Sequence, residues 1–200
     1  MERLIGVLGG TFDPPHRGHL LLAQKAHKAL DLDKVLWVVT PSPPHKLNMP
    51  ISPLLARIRM VEKSIDSFPA FEISDADSSR PTPHYAVGTL KWLKDLHPGR
   101  KFAYLMGSDS LQDLPRWHAP LEFIKLCEIV AVMHRIASVV DLVELEKELP
   151  GITSKTLFLQ GVKYEISAIT IRKRVRNGEA YAHFVPAGVA EIIRNLGLYT

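Results

Sequence analysis

The sequence is poor in cysteine, with Cys127 alone among 200 residues. A single cysteine excludes an intramolecular disulfide and is typical of a reducing cytosol. It stands in the apolar run 123–127, which favours a buried structural thiol over a nucleophile. No apolar run approaches the ~20 residues needed to cross a bilayer, and the pattern of a secretory signal peptide is not seen. We therefore expect a cytoplasmic protein with no membrane partner.

Neither sign of charge dominates, because 25 Lys and Arg stand against 21 Asp and Glu, a net charge of +4. This mildly basic balance suits an anionic substrate, whereas the scatter of Lys and Arg along the chain disfavours a nucleic-acid-binding domain. The chain also lacks a G-x-G-x-x-G motif after its first apolar run and has no G-x-x-x-x-G-K-[ST] motif. Neither a dinucleotide-binding fingerprint nor a Walker loop is therefore present.

Apolar, strand-like runs alternate with amphipathic helical segments along the whole chain. The expected strands are residues 4–8, 35–39, 71–73, 102–106, 129–133 and 156–159. The expected helices are residues 20–30, 54–65, 85–96, 121–126 and 139–149, with two more at 167–177 and 186–196. This alternation predicts an α/β fold: a Rossmann-like, doubly wound parallel sheet with helices on both faces and a small C-terminal helical portion. Residues 1–200 are expected to form a single domain.

The segment GGTFDPPHRGH at residues 9–19, here called the phosphate loop, follows the first expected strand. Gly9 and Gly10 let the backbone approach a ligand closely, and His16 and His19 arrive at the start of a helix. Unpaired N–H groups and the helix dipole make such a place an anion site. Two alternatives remain for these imidazoles. They bind a metal ion as a pair of ligands, or they are two ordinary surface histidines.

Two further segments follow strands or open helices in the same manner. Ser167 is expected to cap a helix that carries Arg172 about one turn inside, which suits a polyphosphate clamp. Gly107 ends another strand, and Asp109 after it either accepts hydrogen bonds from a nucleoside or caps the next helix. Trp117 is flanked by polar residues and either stacks on an aromatic ring of a ligand or belongs to the core.

These residues resemble a known family, the bacterial nicotinate-mononucleotide adenylyltransferases of the H-x-G-H nucleotidyltransferase superfamily. The phosphate loop matches the signature G-G-[TS]-F-D-P-x-H-x-G-H. PPHK at 43–46, GSDSL at 107–111 and ISAITIR at 166–172 resemble three more of its motifs, and Trp117 has the expected spacing. The resemblance covers nearly the whole chain and implies one nucleotidyltransferase domain.

The resemblance implies adenylyl transfer from ATP to nicotinate mononucleotide, with Mg²⁺ arriving on ATP and no metal site of the protein itself. The implied catalytic residues are His16, His19 and Arg172. The implied ATP-binding residues are Gly9, Gly10, Thr11, Phe12, Gly18, Gly107, Asp109, Ser167 and Ile169. The implied mononucleotide-binding residues are His45, Lys46, Tyr85, Ala86, Trp117 and Arg135. Assembly into a homo-oligomer stays open at this point.

The chain departs from the family pattern at three places. Ile169 stands where the family has threonine, with Thr170 one residue later, and we expect weaker ATP binding from this change. Ala86 replaces the threonine of a Ser-Tyr-Thr motif, which leaves the choice between nicotinate and nicotinamide open, and Arg135 is followed by Ile-Ala rather than Pro-Gly. The alternative functions are a pantetheine-phosphate adenylyltransferase and a non-catalytic nucleotide-binding regulator with the same fold.

Overall fold

Six parallel strands form one sheet in a computed structural model that describes residues 4–43, 50–134, 140–160 and 166–200. The strands are β1 (Ile5–Gly10), β2 (Lys34–Val39), β3 (Phe71–Ser74), β4 (Phe102–Gly107), β5 (Ile129–Met133) and β6 (Thr156–Leu159). Their order in the sheet is β3-β2-β1-β4-β5-β6, and every neighbouring pair is parallel. The predicted Rossmann-like, doubly wound sheet is thus confirmed.

The described residues also form nine α-helices and two short 3-10 turns, at Leu114–Arg116 and Ala182–Phe184. The helices are α1 (Arg17–Ala29), α2 (Leu54–Ile65), α3 (Ala86–Leu96), α4 (Ser108–Asp113), α5 (Pro120–Leu126), α6 (Leu142–Glu148), α7 (Ile152–Lys155), α8 (Ala168–Arg176) and α9 (Ala187–Asn195). In the described ranges, no helix is long and apolar enough to cross a membrane.

The central strands are apolar on both faces because a helical layer covers each face. A first core cluster joins one face of the sheet to α3, α4 and α5, while a second joins the other face to α1 and α2. Cys127 is buried in the first cluster, as expected, and burial raises the pKa of its thiol to about 12. The thiol is therefore an inert part of the core.

The C-terminal helices form the small extra layer that the sequence predicts. Apolar residues of α8 and α9 pack with Met60 of α2 in a third core cluster. The helix α9 ends in a Schellman motif, in which the Leu198 N–H donates to the Ile193 carbonyl at 3.0 Å and the Gly197 N–H donates to the Arg194 carbonyl at 3.2 Å. This turn directs the chain after α9 back towards the sheet.

The strand order reverses between β1 and β4, which lie side by side and lead to helical layers on opposite faces. Ligands of doubly wound folds bind in the crevice at the carboxyl ends of such strands. Gly9 and Gly10 end β1, and Gly107 ends β4, so the glycines that the sequence singled out flank this crevice.

Candidate active site

The phosphate loop leaves β1 at the crevice and enters α1, which begins at Arg17 rather than at the predicted residue 20. His16 is therefore the N-cap residue, and Gly18 and His19 lie in the first helical turn. A Cβ at Gly9 would stand 2.8 Å from the Tyr104 hydroxyl oxygen, and one at Gly10 would stand 3.2 Å from the Phe12 ring. A side chain at Gly9 would force the buried Tyr104 to move, and one at Gly10 would crowd the Phe12 ring, which explains the glycine pair.

The two histidines of the loop form a stacked pair, with ring centroids 3.7 Å apart and planes at 20°. The His16 backbone N–H donates to His19 Nδ1 at 3.1 Å, so the proton of a neutral His19 ring resides on Nε2. Phe12 meets His19 edge-on at 5.0 Å and is itself buried, with 2% of its surface exposed. The Phe12 ring belongs to the core, and only its backbone remains to contact a nucleotide.

The helix α8 approaches the same loop from a remote part of the chain. Arg172 donates from Nη1 to the Asp13 carbonyl oxygen at 2.7 Å. Ser167 caps α8 as predicted, because its Oγ accepts the Thr170 N–H at 3.1 Å. Thr170 Oγ1 lies 2.9 Å from the same Ser167 Oγ, while Ile169 is 67% exposed beside it. The structure therefore joins α8 to the phosphate loop through the Arg172 side chain.

The predicted aromatic residues gather on the opposite side of the crevice, against the first core cluster. Trp117 is half-buried and packs edge-on against Tyr104 at 6.2 Å and Phe123 at 5.3 Å. Since the Tyr104 hydroxyl lies beside Gly9, this contact brings the indole close to the switch point. Tyr85 precedes α3 and stacks on His118 with centroids 4.2 Å apart. Both predictions for Trp117, ligand stacking and core packing, fit this half-buried position.

Asp109 lies in the first turn of α4, whose N-cap residue is Gly107. The alternative in which Asp109 caps that helix is therefore wrong, because the cap lies two residues earlier. A carboxylate in the first turn still interacts favourably with the positive end of the helix dipole. The backbone N–H groups of the same turn face the carboxyl end of β4, where a nucleoside would bind.

A buried polar network supports the segment that carries Tyr85 and Ala86. Asp77 accepts hydrogen bonds from Thr40 Oγ1 at 2.8 Å, from Thr89 Oγ1 at 2.6 Å and from Arg80 Nη2 at 2.8 Å. Arg80 also donates to the Tyr85 carbonyl at 3.1 Å. This network fixes the backbone at the start of α3 relative to the carboxyl end of β2.

His84 lies next to this network and is 7% exposed, with no hydrogen-bond partner for its Nδ1 among the described residues. Burial lowers the pKa of His84 below its ordinary value, Asp77 opposes that shift, and Arg80 adds to it. His84 is therefore neutral near pH 7.

Arg57 is a residue of the candidate site that the sequence reasoning missed. Its guanidinium, 1% exposed, donates to the carbonyls of Thr11, Thr40, Pro41 and Ser52 over 2.8–3.0 Å. One side chain thus joins the phosphate loop to the segment after β2. The sequence pattern of α2 could have indicated this residue. Positions 57, 60, 61 and 64 lie on the buried face of the helix, and only position 57 is charged.

Three of the predicted site residues, His45, Lys46 and Arg135, lie outside the described residues, so their predictions stand untested. Within the described ranges, no group of three or more His, Cys, Asp and Glu residues is arranged to hold a metal ion. Most of the other predicted residues lie at the ends of β1 and β4 or at the starts of α1, α3, α4 and α8. Arg172 is the fifth residue of α8, and Trp117 follows the 3-10 turn between α4 and α5.

A family model described as cytidylyltransferase-like matches residues 7–174. The chain is 39% identical over 195 residues to a probable nicotinate-nucleotide adenylyltransferase of Dehalococcoides mccartyi, covering 97% of this chain and 96% of that protein. It is 37% identical to a protein of the same description from Thermomicrobium roseum, covering 100% of this chain and 92% of that protein.

The fold is similar to a solved structure of Plasmodium falciparum nicotinic acid mononucleotide adenylyltransferase complexed with NaAD. The TM-score is 0.84 at 20% identity, and the match covers 99% of this chain and 98% of the other. A second structure of that protein, complexed with APC, gives a TM-score of 0.79 over the same shares of both chains. At this identity the likeness supports the fold.

Proposed function

Because the chain belongs to the cytidylyltransferase-like family and, within it, to the nicotinate-nucleotide adenylyltransferases, we propose that it joins ATP and nicotinate mononucleotide. The products are nicotinate adenine dinucleotide and pyrophosphate, a step of NAD biosynthesis. The proposal covers residues 1–200 as one catalytic unit that works in the cytoplasm.

The observation that carries the proposal is the contact between α8 and the loop that opens α1. The helix α1 presents the stacked pair His16 and His19, and α8 presents Arg172, which donates to Asp13 of the same loop. Adenylyl transfer must bring two anionic phosphates together and stabilise the charge that develops on the α-phosphate and the leaving pyrophosphate. Two dipoles, two imidazoles and a guanidinium are suited to that task.

In this mechanism the phosphate of the mononucleotide attacks the α-phosphorus of ATP in line, and pyrophosphate leaves on the opposite side. No group of the protein forms a covalent bond. His19 donates from Nε2 to the reacting phosphate, and Arg172 and the first N–H groups of α8 hold the β,γ-phosphates. ATP enters as its magnesium complex, in which the cation offsets triphosphate charge. The chain itself contributes positioning, which converts an encounter of two anions into an oriented reaction.

The remaining predicted residues are proposed to bind the nucleosides of the two substrates and the phosphate of the mononucleotide. We assign the adenosine of ATP to Gly107 and Asp109 at the start of α4. The pyridine ring is assigned to Trp117 and to the backbone at Tyr85 and Ala86, which the Asp77 network supports. His45, Lys46 and Arg135 are proposed to bind the mononucleotide as the resemblance implies.

A side-by-side assay tests the proposal. Purified protein with ATP and Mg²⁺ is given nicotinate mononucleotide, nicotinamide mononucleotide or phosphopantetheine in separate reactions, and pyrophosphate and the dinucleotide are quantified. We expect product with nicotinate mononucleotide. The ratio of its kcat/KM to that of nicotinamide mononucleotide measures the selectivity that Ala86 leaves open.

Each contrary outcome identifies a different error. Turnover with phosphopantetheine alone would show that the protein is a pantetheine-phosphate adenylyltransferase instead. No turnover with any of the three, in a protein that still binds ATP, would support the non-catalytic regulator.

A further inference from the structure

Asp13 occupies the middle of the phosphate loop, between the glycine pair and His16, and is 4% exposed. A buried carboxylate needs hydrogen-bond donors, since its desolvation is otherwise unfavourable. The Ser52 N–H donates to Oδ2 at 3.3 Å, and the Tyr199 hydroxyl donates to Oδ1 at 2.6 Å. The Asp13 backbone carbonyl is the acceptor for Arg172. One residue of the loop therefore receives bonds from three remote segments.

Of these bonds, the one from Tyr199 joins the most distant partners, 186 residues apart in sequence. The Schellman motif at the end of α9 turns the chain back, and Tyr199 itself has a φ of +70°. A non-glycine residue in the left-handed region carries roughly 1 kcal/mol or more of strain, which persists where surrounding contacts fix the conformation. The ring packs on the third core cluster, and the hydroxyl meets Asp13.

The electrostatics of the pair fit a lasting hydrogen bond. Burial and the adjacent Asp13 carboxylate raise the pKa of Tyr199 above its ordinary value, so the phenol keeps its proton. A neutral phenol donating to a carboxylate is a charge-assisted bond, and such bonds are about twice as strong as neutral ones.

We propose that Tyr199 is a positioning residue for the proposed adenylyl transfer, which acts by holding Asp13 and thereby setting the phosphate loop against Arg172. The inference rests on the function proposed above and adds to it a residue outside all of the predicted motifs. Tyr199 touches neither nucleotide in this account. Its hydroxyl fixes the backbone that carries His16, and its loss lets that backbone shift relative to α8.

The competing explanation gives Tyr199 a purely structural role, in which its ring anchors α9 and the hydroxyl is incidental. Tyr199→Phe separates the two, because it keeps the ring and removes only the hydroxyl, which donates to Asp13 and also interacts with the Ser52 side chain. Tyr181→Phe is the matched control, since Tyr181 also packs on the third core cluster and makes no side-chain hydrogen bond among those described.

Steady-state kinetics provide the first readout. We expect Tyr199→Phe to lower kcat about tenfold with KM for both substrates changed less than about threefold, because small misplacements at a reacting phosphate reduce the rate of the chemical step. Tyr181→Phe should stay within about twofold of the wild type. A kcat within twofold of the wild type for Tyr199→Phe would overturn the proposal.

Hydrogen exchange followed by mass spectrometry provides a readout that does not depend on turnover. Tyr199→Phe should accelerate exchange in peptides covering 11–19, with 187–195 unchanged. Faster exchange confined to 187–200 would establish the anchoring role instead. If the wild type shows no adenylyl transfer, the proposed function fails while this measurement still decides the role of Tyr199.

A double-mutant cycle with Asp13→Ala, which removes the acceptor that asparagine would retain, ties the effect to the proposed partner. Since both substitutions act on one contact, the combined fold-loss in kcat should be clearly smaller than the product of the single losses. A combined fold-loss in kcat equal to the product of the single losses would show that Tyr199 acts on something other than Asp13.

Discussion

Replacing Arg57 by methionine removes the donor that joins the phosphate loop to the segment after β2. The substitution retains an unbranched chain of similar length, so it tests the hydrogen bonds more than the volume. Nη1 serves two buried carbonyls, those of Thr11 and Thr40, each at 2.8 Å. The carbonyls of Pro41 and Ser52 are partly buried and can accept water instead.

The expected loss of stability follows from those four acceptors. A buried carbonyl left without a donor costs about 1–3 kcal/mol, so the two buried ones together cost about 2–6 kcal/mol. Burial lowers the pKa of Arg57 because desolvation disfavours its charged form, although the nearby Asp13 opposes the shift, and methionine carries no such desolvation penalty. We therefore expect the free energy of unfolding to fall by about 3 kcal/mol, within the range that a domain of ordinary stability tolerates.

Urea unfolding followed by tryptophan fluorescence and circular dichroism measures this loss. Arg59→Met is the control, because Arg59 lies on the same helix with its side chain exposed, and it should change stability by no more than about 0.5 kcal/mol. The free energy of unfolding of Arg57→Lys should lie between those of Arg57→Met and Arg59→Met, since lysine keeps the charge without the guanidinium fork. An Arg57→Met protein within about 1 kcal/mol of its control would refute the assigned role.

Two further predictions concern histidines of the site. His19→Ala should keep the fold, seen by circular dichroism, and lower kcat by a factor of about 10² as loss of a transition-state donor does; an unchanged kcat would remove His19 from the reacting phosphate. His84 has a pKa below its ordinary 6.5 in the folded state because it is desolvated, so protonation in acid favours the unfolded chain. The stability that His84 contributes is present above pH 6.5 and is lost as the pH falls towards the folded pKa, so wild type should lose more free energy of unfolding between about pH 7 and pH 5 than His84→Gln. Equal losses in the two proteins would contradict this assignment.

The strands and long helices were predictable from the sequence because their signals are local. A central parallel strand is apolar on both faces, and residues 129–133 and 156–159 were predicted with the bounds the structure has. The helix α4 was missed because its six residues begin with serine and aspartate, which also favour loops. The helix α6 begins at Leu142 rather than at the predicted residue 139, since Asp141 accepts the N–H groups of Val143 and Glu144.

The site was predictable only where a motif is contiguous. The phosphate loop and Ser167 were predicted because they stand at a strand end and a helix start, and Arg172 because it lies about one turn inside the helix that Ser167 caps. The bond between Tyr199 and Asp13 has no local signal, since it exists only once α9 has packed on α2. Long-range contacts of this kind depend on the whole topology and on no feature of the nearby sequence.

The departure at Ile169 has a physical explanation in the first turn of α8. Ser167 caps the helix through the Thr170 N–H, which leaves the N–H groups of Ala168 and Ile169 without an intrahelical acceptor. Those donors belong to the backbone and are retained whatever side chain stands at position 169. The isoleucine is 67% exposed and removes one hydroxyl from the clamp without disturbing the cap. In the proposed function, the triphosphate is held at α8 by the helix N-terminus and by Arg172, so we expect this change to weaken ATP binding while preserving the reaction.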